Sequence, residues 1–136
     1  MTNQDRSKDQ ELIDKRLKVY RELNSKLLQT NPEGTYAFGD SLSLPDYTYA
    51  SILLREVANK HYRNFEIPDT EEYKRVLKWK NGITSLDIVR NTCFDDETII
   101  KMLLDYSNGY TGGKAPPGKE SVFTMFSDSK DYEIIF

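Results

Sequence analysis

Apolar positions along the first part of the chain fall in steps of three and four. Ile13, Leu17, Tyr20, Leu23 and Leu27 recur this way across residues 7–29, a stretch with neither glycine nor proline. Such a stripe predicts an amphipathic helix, with Lys and Glu filling the remaining faces. Thr30, Asn31, Pro32, Glu33 and Gly34 then break it. The sharpest local start signal follows at Leu42-Ser43-Leu44-Pro45-Asp46-Tyr47. Ser43 and Asp46 stand at capping-box spacing, with Asp in place of the usual Glu. The Ser43 side chain can accept from the Asp46 N–H while the Asp46 carboxylate accepts from the Ser43 N–H. Pro45 sits in the first turn, where a missing N–H costs nothing, and Leu42 and Tyr47 occupy the staple positions. The helix predicted from here runs through Ile52, Leu53, Leu54, Val57 and Ala58 to about His61. Tyr47, Tyr49 and Ala50 make its first half apolar nearly all round, as in a helix buried within a bundle.

Pro68 pushes Ile67 out of helical geometry. Asp69 with Glu72 repeats the capping-box spacing, and Tyr73, Val76 and Leu77 predict a short helix stopping at Asn81 and Gly82. Thr84 with Asp87 opens another turn or two through Ile88 and Val89. Asp95 caps a last helix with the stripe Ile99, Met102, Leu103 and Tyr106, its acids Asp95, Asp96 and Glu97 lying favourably against the helix dipole. Beyond Asn108, the crowding of Gly109, Gly112, Gly113, Pro116, Pro117 and Gly118 marks a connector, and two apolar pieces follow at 122–126 and 132–136. The expected organisation is an all-α helical bundle over residues 1–108 and a Gly/Pro-rich flexible linker with an apolar tail over 109–136.

A length of 136 residues suits one domain or slightly less. Apolar residues at 38% and charged residues at 30% give an ordinary globular balance, so the chain should fold. Nineteen basic against 22 acidic residues leave −3, too weak and mixed a field for a phosphate backbone, which argues against nucleic acid as a partner. A single histidine, His61, and a single cysteine, Cys93, allow no internal disulfide and no closed Cys/His zinc site. The N-terminus MTNQDRSKDQ lacks the apolar core of a signal peptide, and no run approaches the ~20 apolar residues of a membrane span. The chain reads as soluble and cytoplasmic, with no intrinsic transmembrane segment.

Candidate chemistry is sparse. Cys93 follows an Asn-Thr pair near a capped helix start, where a helix dipole favours a thiolate, so it is the candidate redox thiol. A lone cysteine is more often a small buried hydrophobe, and His61, at the end of a different helix, reads as a helix end or surface residue rather than its base. Ser43 and Asp46 are a structural capping pair, not a nucleophile and carboxylate. Residues 109–118 lack the spacing of a phosphate loop. Tyr47, Tyr49, Tyr62 and Phe65 cluster about the central helix, where core packing is favoured over a ligand pocket. The C-terminal Ile134, Ile135 and Phe136 form a candidate tail motif, fit either to add a strand to a carboxylate-binding domain or to cover an apolar face.

The order of parts resembles the all-helical C-terminal domain of the glutathione transferase superfamily. Gly39-Asp40-Ser41-Leu42-Ser43-Leu44-Pro45-Asp46 looks like that family's capping-box segment. His61-Tyr62-Arg63-Asn64-Phe65-Glu66-Ile67-Pro68, and Asn91-Thr92-Cys93 with Asp96 and Glu97 just after, look like segments of the chloride intracellular channel proteins. Dehydroascorbate reductases are the next resemblance, which covers roughly residues 10–107. What the resemblance implies is bounded by what is missing. No thioredoxin-like βαβ pattern precedes residue 10, so no glutathione site or catalytic residue is carried over, and glutathione enters only if such a domain is supplied elsewhere. The first helix of the family domain is also missing, which implies an apolar stripe left exposed on the helix of residues 7–29. The expectation is therefore a non-enzymatic interaction or scaffold module, a homodimer or partner-bound chain through that face. The alternatives are one piece of a glutathione-dependent transferase or reductase, and the soluble portion of a chloride-channel-like protein.

Overall fold

The computed structural model describes residues 6–108; residues 109–136, including Ile134, Ile135 and Phe136, lie outside the described residues. The described residues form six α-helices and no strand: α1 (Asp9–Thr30), α2 (Leu44–Leu54), α3 (Glu56–Arg63), α4 (Lys74–Thr84), α5 (Asp87–Thr92) and α6 (Asp96–Ser107). Short 3-10 turns at Arg6–Lys8 and Glu71–Tyr73 lead into α1 and α4. The all-α expectation holds for these residues.

α1 and α2 both pack on α4, and α3 pairs with α6. The core gathers where α4 meets its neighbours: Val76, Trp79 and Ile83 are all but fully buried, joined by Leu53, Tyr73, Phe65 and Ile67. The predicted stripe of α1 faces this core, with Tyr20 and Leu27 buried and Ile13, Leu17 and Leu23 packed against it. Asn24, which no apolar pattern marks, shares that stripe. Its Oδ1 accepts from the Val76 N–H at 2.9 Å, so α1 satisfies an orphan donor in the first turn of α4.

Four boundaries depart from expectation. The single helix predicted from Ser43 to His61 is broken at Arg55, beside the buried Glu56. No glycine or proline marks the break, so tertiary contacts rather than local sequence place it. Asp69 and Glu72 do not form a capping box: α4 is entered through the 3-10 turn, with the Tyr73 N–H donating to the Thr70 carbonyl at 2.9 Å. Thr84 does not cap α5, because its hydroxyl is spent within α4 on the Lys80 carbonyl at 2.9 Å and Leu86 stands at the start of α5. Gly82 does not stop α4, which continues through the buried Ile83.

Gly82 instead provides room. A Cβ there would sit 2.5 Å from Thr35 Cγ2 in the loop that crosses over α4. Gly82→Ala is therefore expected to lose about 1–2 kcal/mol net, although Ala is favoured over Gly by roughly 1 kcal/mol in an unhindered helix. Thr35→Ser, which deletes that methyl, should restore most of the loss. Thermal denaturation of the two variants and their combination checks this, and an unchanged midpoint in Gly82→Ala would refute it.

The Asp95 signal is realised as read, and the end of α3 shows a cap that the sequence reading did not name. Asp95 accepts from the Thr98 N–H at 2.8 Å and caps α6. α3 closes with Asn64 in the left-handed region, φ 51°, where the Phe65 N–H reaches back to the Asn59 carbonyl at 3.3 Å. Asn is among the few residues apart from glycine that adopt this conformation readily.

Candidate functional site

The capping box is present, and it does more than start a helix. Asp46 is fully buried. Its Oδ2 accepts from the Ser43 N–H at 2.7 Å and the Ser43 hydroxyl at 2.6 Å. Its Oδ1 accepts from the Ala37 N–H at 3.0 Å and from Trp79 Nε1–H at 2.6 Å. One carboxylate thus ties the 31–39 loop, the start of α2 and the middle of α4 together. Burial opposes its ionisation, but the hydrogen bonds from Ser43, Trp79 and Ala37 outweigh that effect and hold its pKa below the ordinary Asp value.

The 31–39 loop is built around Asn31. Its side-chain amide donates to the carbonyls of Tyr36 and Gly39 at 2.9 and 3.0 Å, while its Oδ1 accepts from the Gly34 N–H at 3.0 Å. A Cβ at Gly34 would collide with that amide at 1.8 Å, so the turn admits only glycine. From α4, buried Arg75 clamps the same loop through the carbonyls of Asn31 and Tyr36 at 2.7 and 2.8 Å.

These ties fix which face of α2 turns outward. Asp46, Ala50, Leu53 and Leu54 point to the core, while Leu44, Tyr47 and Ile52 are 78%, 58% and 43% exposed. α2 is therefore not buried all round, as its apolar first half suggested. Tyr49, also partly exposed, lays its ring edge against Trp79 at 5.4 Å. Exposed Phe38 belongs to the loop just ahead of the helix. On α1, by contrast, the large exposed apolar residues are Val19 and Leu28, nine residues apart and so on opposite sides of the helix. The apolar face expected on the first helix is packed inward, and more large apolar side chains stand exposed on α2 than on α1.

The remaining candidates do not assemble. His61 lies exposed in the last turn of α3, with its ring edge-on to Tyr62 at 4.7 Å. Cys93 terminates α5 rather than opening α6, and half-buried it packs against the core. Tyr62 sends its hydroxyl to the Ile100 carbonyl at 2.9 Å, joining α3 to α6, while Phe65 is core and Tyr47 stands exposed. Among the described residues no group of His, Cys, Asp and Glu is placed to hold a metal ion, and no helix is long and apolar enough to cross a membrane.

A second buried network crosses from α1 to α3. Glu56 Oε1 accepts from Arg16 Nη2 and from the Tyr20 hydroxyl, each at 2.6 Å, and the Arg16 guanidinium lies 5.6 Å over the Phe65 ring. Burial, and next the Glu56 charge, push the Tyr20 phenol well above its ordinary pKa, so it stays a proton donor to that carboxylate. Comparison with known protein families, curated proteins and solved structures finds no match to this chain.

Proposed function

We propose that this chain is a non-enzymatic protein-interaction module that docks through the outward face of α2, with a second copy of itself as the first partner to test. The observation that carries the reading is that Leu44, Tyr47 and Ile52 all stand exposed on one short helix whose orientation is fixed from below by Asp46. Exposed large apolar side chains gathered on one element are candidates for an interface. The resemblance to the helical C-terminal domain of the glutathione transferases is consistent with it, because isolated helical domains of that type serve as assembly adaptors.

Light scattering over a concentration series of the full chain is the test. A mass that rises toward twice the monomer, and that Tyr47→Lys returns to monomer without lowering the melting temperature, is the expected result. A strict monomer at millimolar concentration removes self-association and leaves a different protein as partner. Retention on immobilised glutathione with turnover of dehydroascorbate would overturn the interaction reading and favour the enzymatic one.

A further inference from the structure

A separate concavity opens where the break between α2 and α3 meets the end of α4, the loop after α3, and the helices α5 and α6. It holds about 240 Å³. That falls just short of the roughly 300–1,000 Å³ typical of pockets for drug-sized ligands, and it suits a metabolite about the size of an amino acid. Leu53, Phe65 and Ile67 give it an apolar base. Its charged lining is balanced, with Lys60, Lys80 and Arg90 against Glu56, Glu66 and Asp96. A net ion of either sign therefore gains little from the local field, whereas a ligand carrying both charges can pair with both.

Two of these groups have capacity left over. Lys60 is paired with Glu66 at 2.7 Å and Arg90 with Asp96 at 3.3 Å, but Lys80 makes no direct ion pair among the described residues. Glu56 is 5% exposed, and both hydrogen bonds it accepts arrive at Oε1. Oε2 accepts no hydrogen bond among the described residues and is not one of the buried atoms left without a partner, so it touches solvent and is free to accept from a ligand. Glu56 is also part of the wall of the concavity.

We propose that this concavity binds a small zwitterion with an apolar body, of the α-amino acid class. Its ammonium group donates to Glu56 Oε2, its carboxylate pairs with Lys80, and its side chain lies on Leu53 and Ile67. The site is independent of the α2 face.

The probe is L-leucine, titrated into the ¹⁵N-labelled full chain, with N-acetyl-leucine and leucinamide as analogues each lacking one charge. Leucine should shift the backbone amides at 53–57, 65–67 and 80–84, with each analogue binding at least about tenfold more weakly, the ~1.4 kcal/mol of one lost charged contact. Lys80→Met should weaken leucine by a similar factor, since the variant loses the carboxylate partner, and leave leucinamide affinity unchanged. The fold should survive this change, because Lys80 is only half-buried and makes no ion pair. Absence of shifts at millimolar leucine, equal binding of either analogue, or shifts confined to another face would each overturn the proposal.

Discussion

Asp46→Ala should cost about 4 kcal/mol, a large share of the roughly 5–15 kcal/mol that holds a domain of this size folded. The variant strands the Ala37 N–H and the Trp79 indole N–H in a core from which water is excluded, and removes the acceptor at the first turn of α2. Each buried donor left unpaired costs about 1–3 kcal/mol, and the lost cap adds about 1 kcal/mol more. Asp46→Asn preserves shape but loses the charge and turns an amide N–H toward donors, so about 2 kcal/mol is expected. Urea denaturation read by Trp79 fluorescence measures all three proteins. The pH dependence has a definite sign. The folded pKa of Asp46 lies below its ordinary value, so its contribution is complete above the unfolded pKa of about 3.9 and fades as pH falls through the lower folded value. The stability gap between the native chain and Asp46→Asn should therefore be constant from neutral pH to about 5, then narrow below about 4. A gap of less than about 1 kcal/mol at neutral pH would show that Asp46 is not the junction described.

Glu56→Ala is the second large effect, about 3 kcal/mol. It leaves the Tyr20 hydroxyl buried without its acceptor and takes the counter-charge from Arg16, whose Nε is already buried and unpartnered. Removing one member of a buried ion pair costs far more than replacing both by apolar groups of similar volume. The combination Arg16→Met with Glu56→Leu should accordingly recover about 2 kcal/mol relative to Glu56→Ala. A double-mutant cycle by chemical denaturation tests this, and purely additive losses would mean that the two side chains do not share one network.

Legibility from the sequence followed the range of the interaction. The Ser43–Asp46 box, the Asp95 cap and the α1 stripe are governed by residues three or four apart, and all three are realised. Asp69–Glu72 and Thr84–Asp87 have the same spacing but carry no cap, because spacing alone does not tell where a first turn is 3-10 or where a hydroxyl is already engaged. The features that failed to show are those closed by distant partners. Asn24 looks like a polar interruption until Val76 is brought beside it, and Gly82 looks like a stop until Thr35 crosses over it. The break at Arg55 belongs with the contacts that Glu56 makes to α1. The outward face of α2 was misjudged for the same reason: an apolar helix reads as buried whether or not a neighbour is present to bury it. Of the candidate site, the sequence could say that one histidine and one cysteine make no closed zinc site and fall on separate helices, but not that Cys93 would end α5 and pack against the core.

The four donors gathered on Asp46 come from positions 37, 43 and 79, which an extended chain would hold far apart. Neither the loop nor the first turn of α2 can come loose alone without depriving the others of their shared acceptor. The natural unit of opening is therefore not a helix but this three-segment knot, and the irregular 31–39 loop inherits the cooperativity of the core to which a single side chain fastens it.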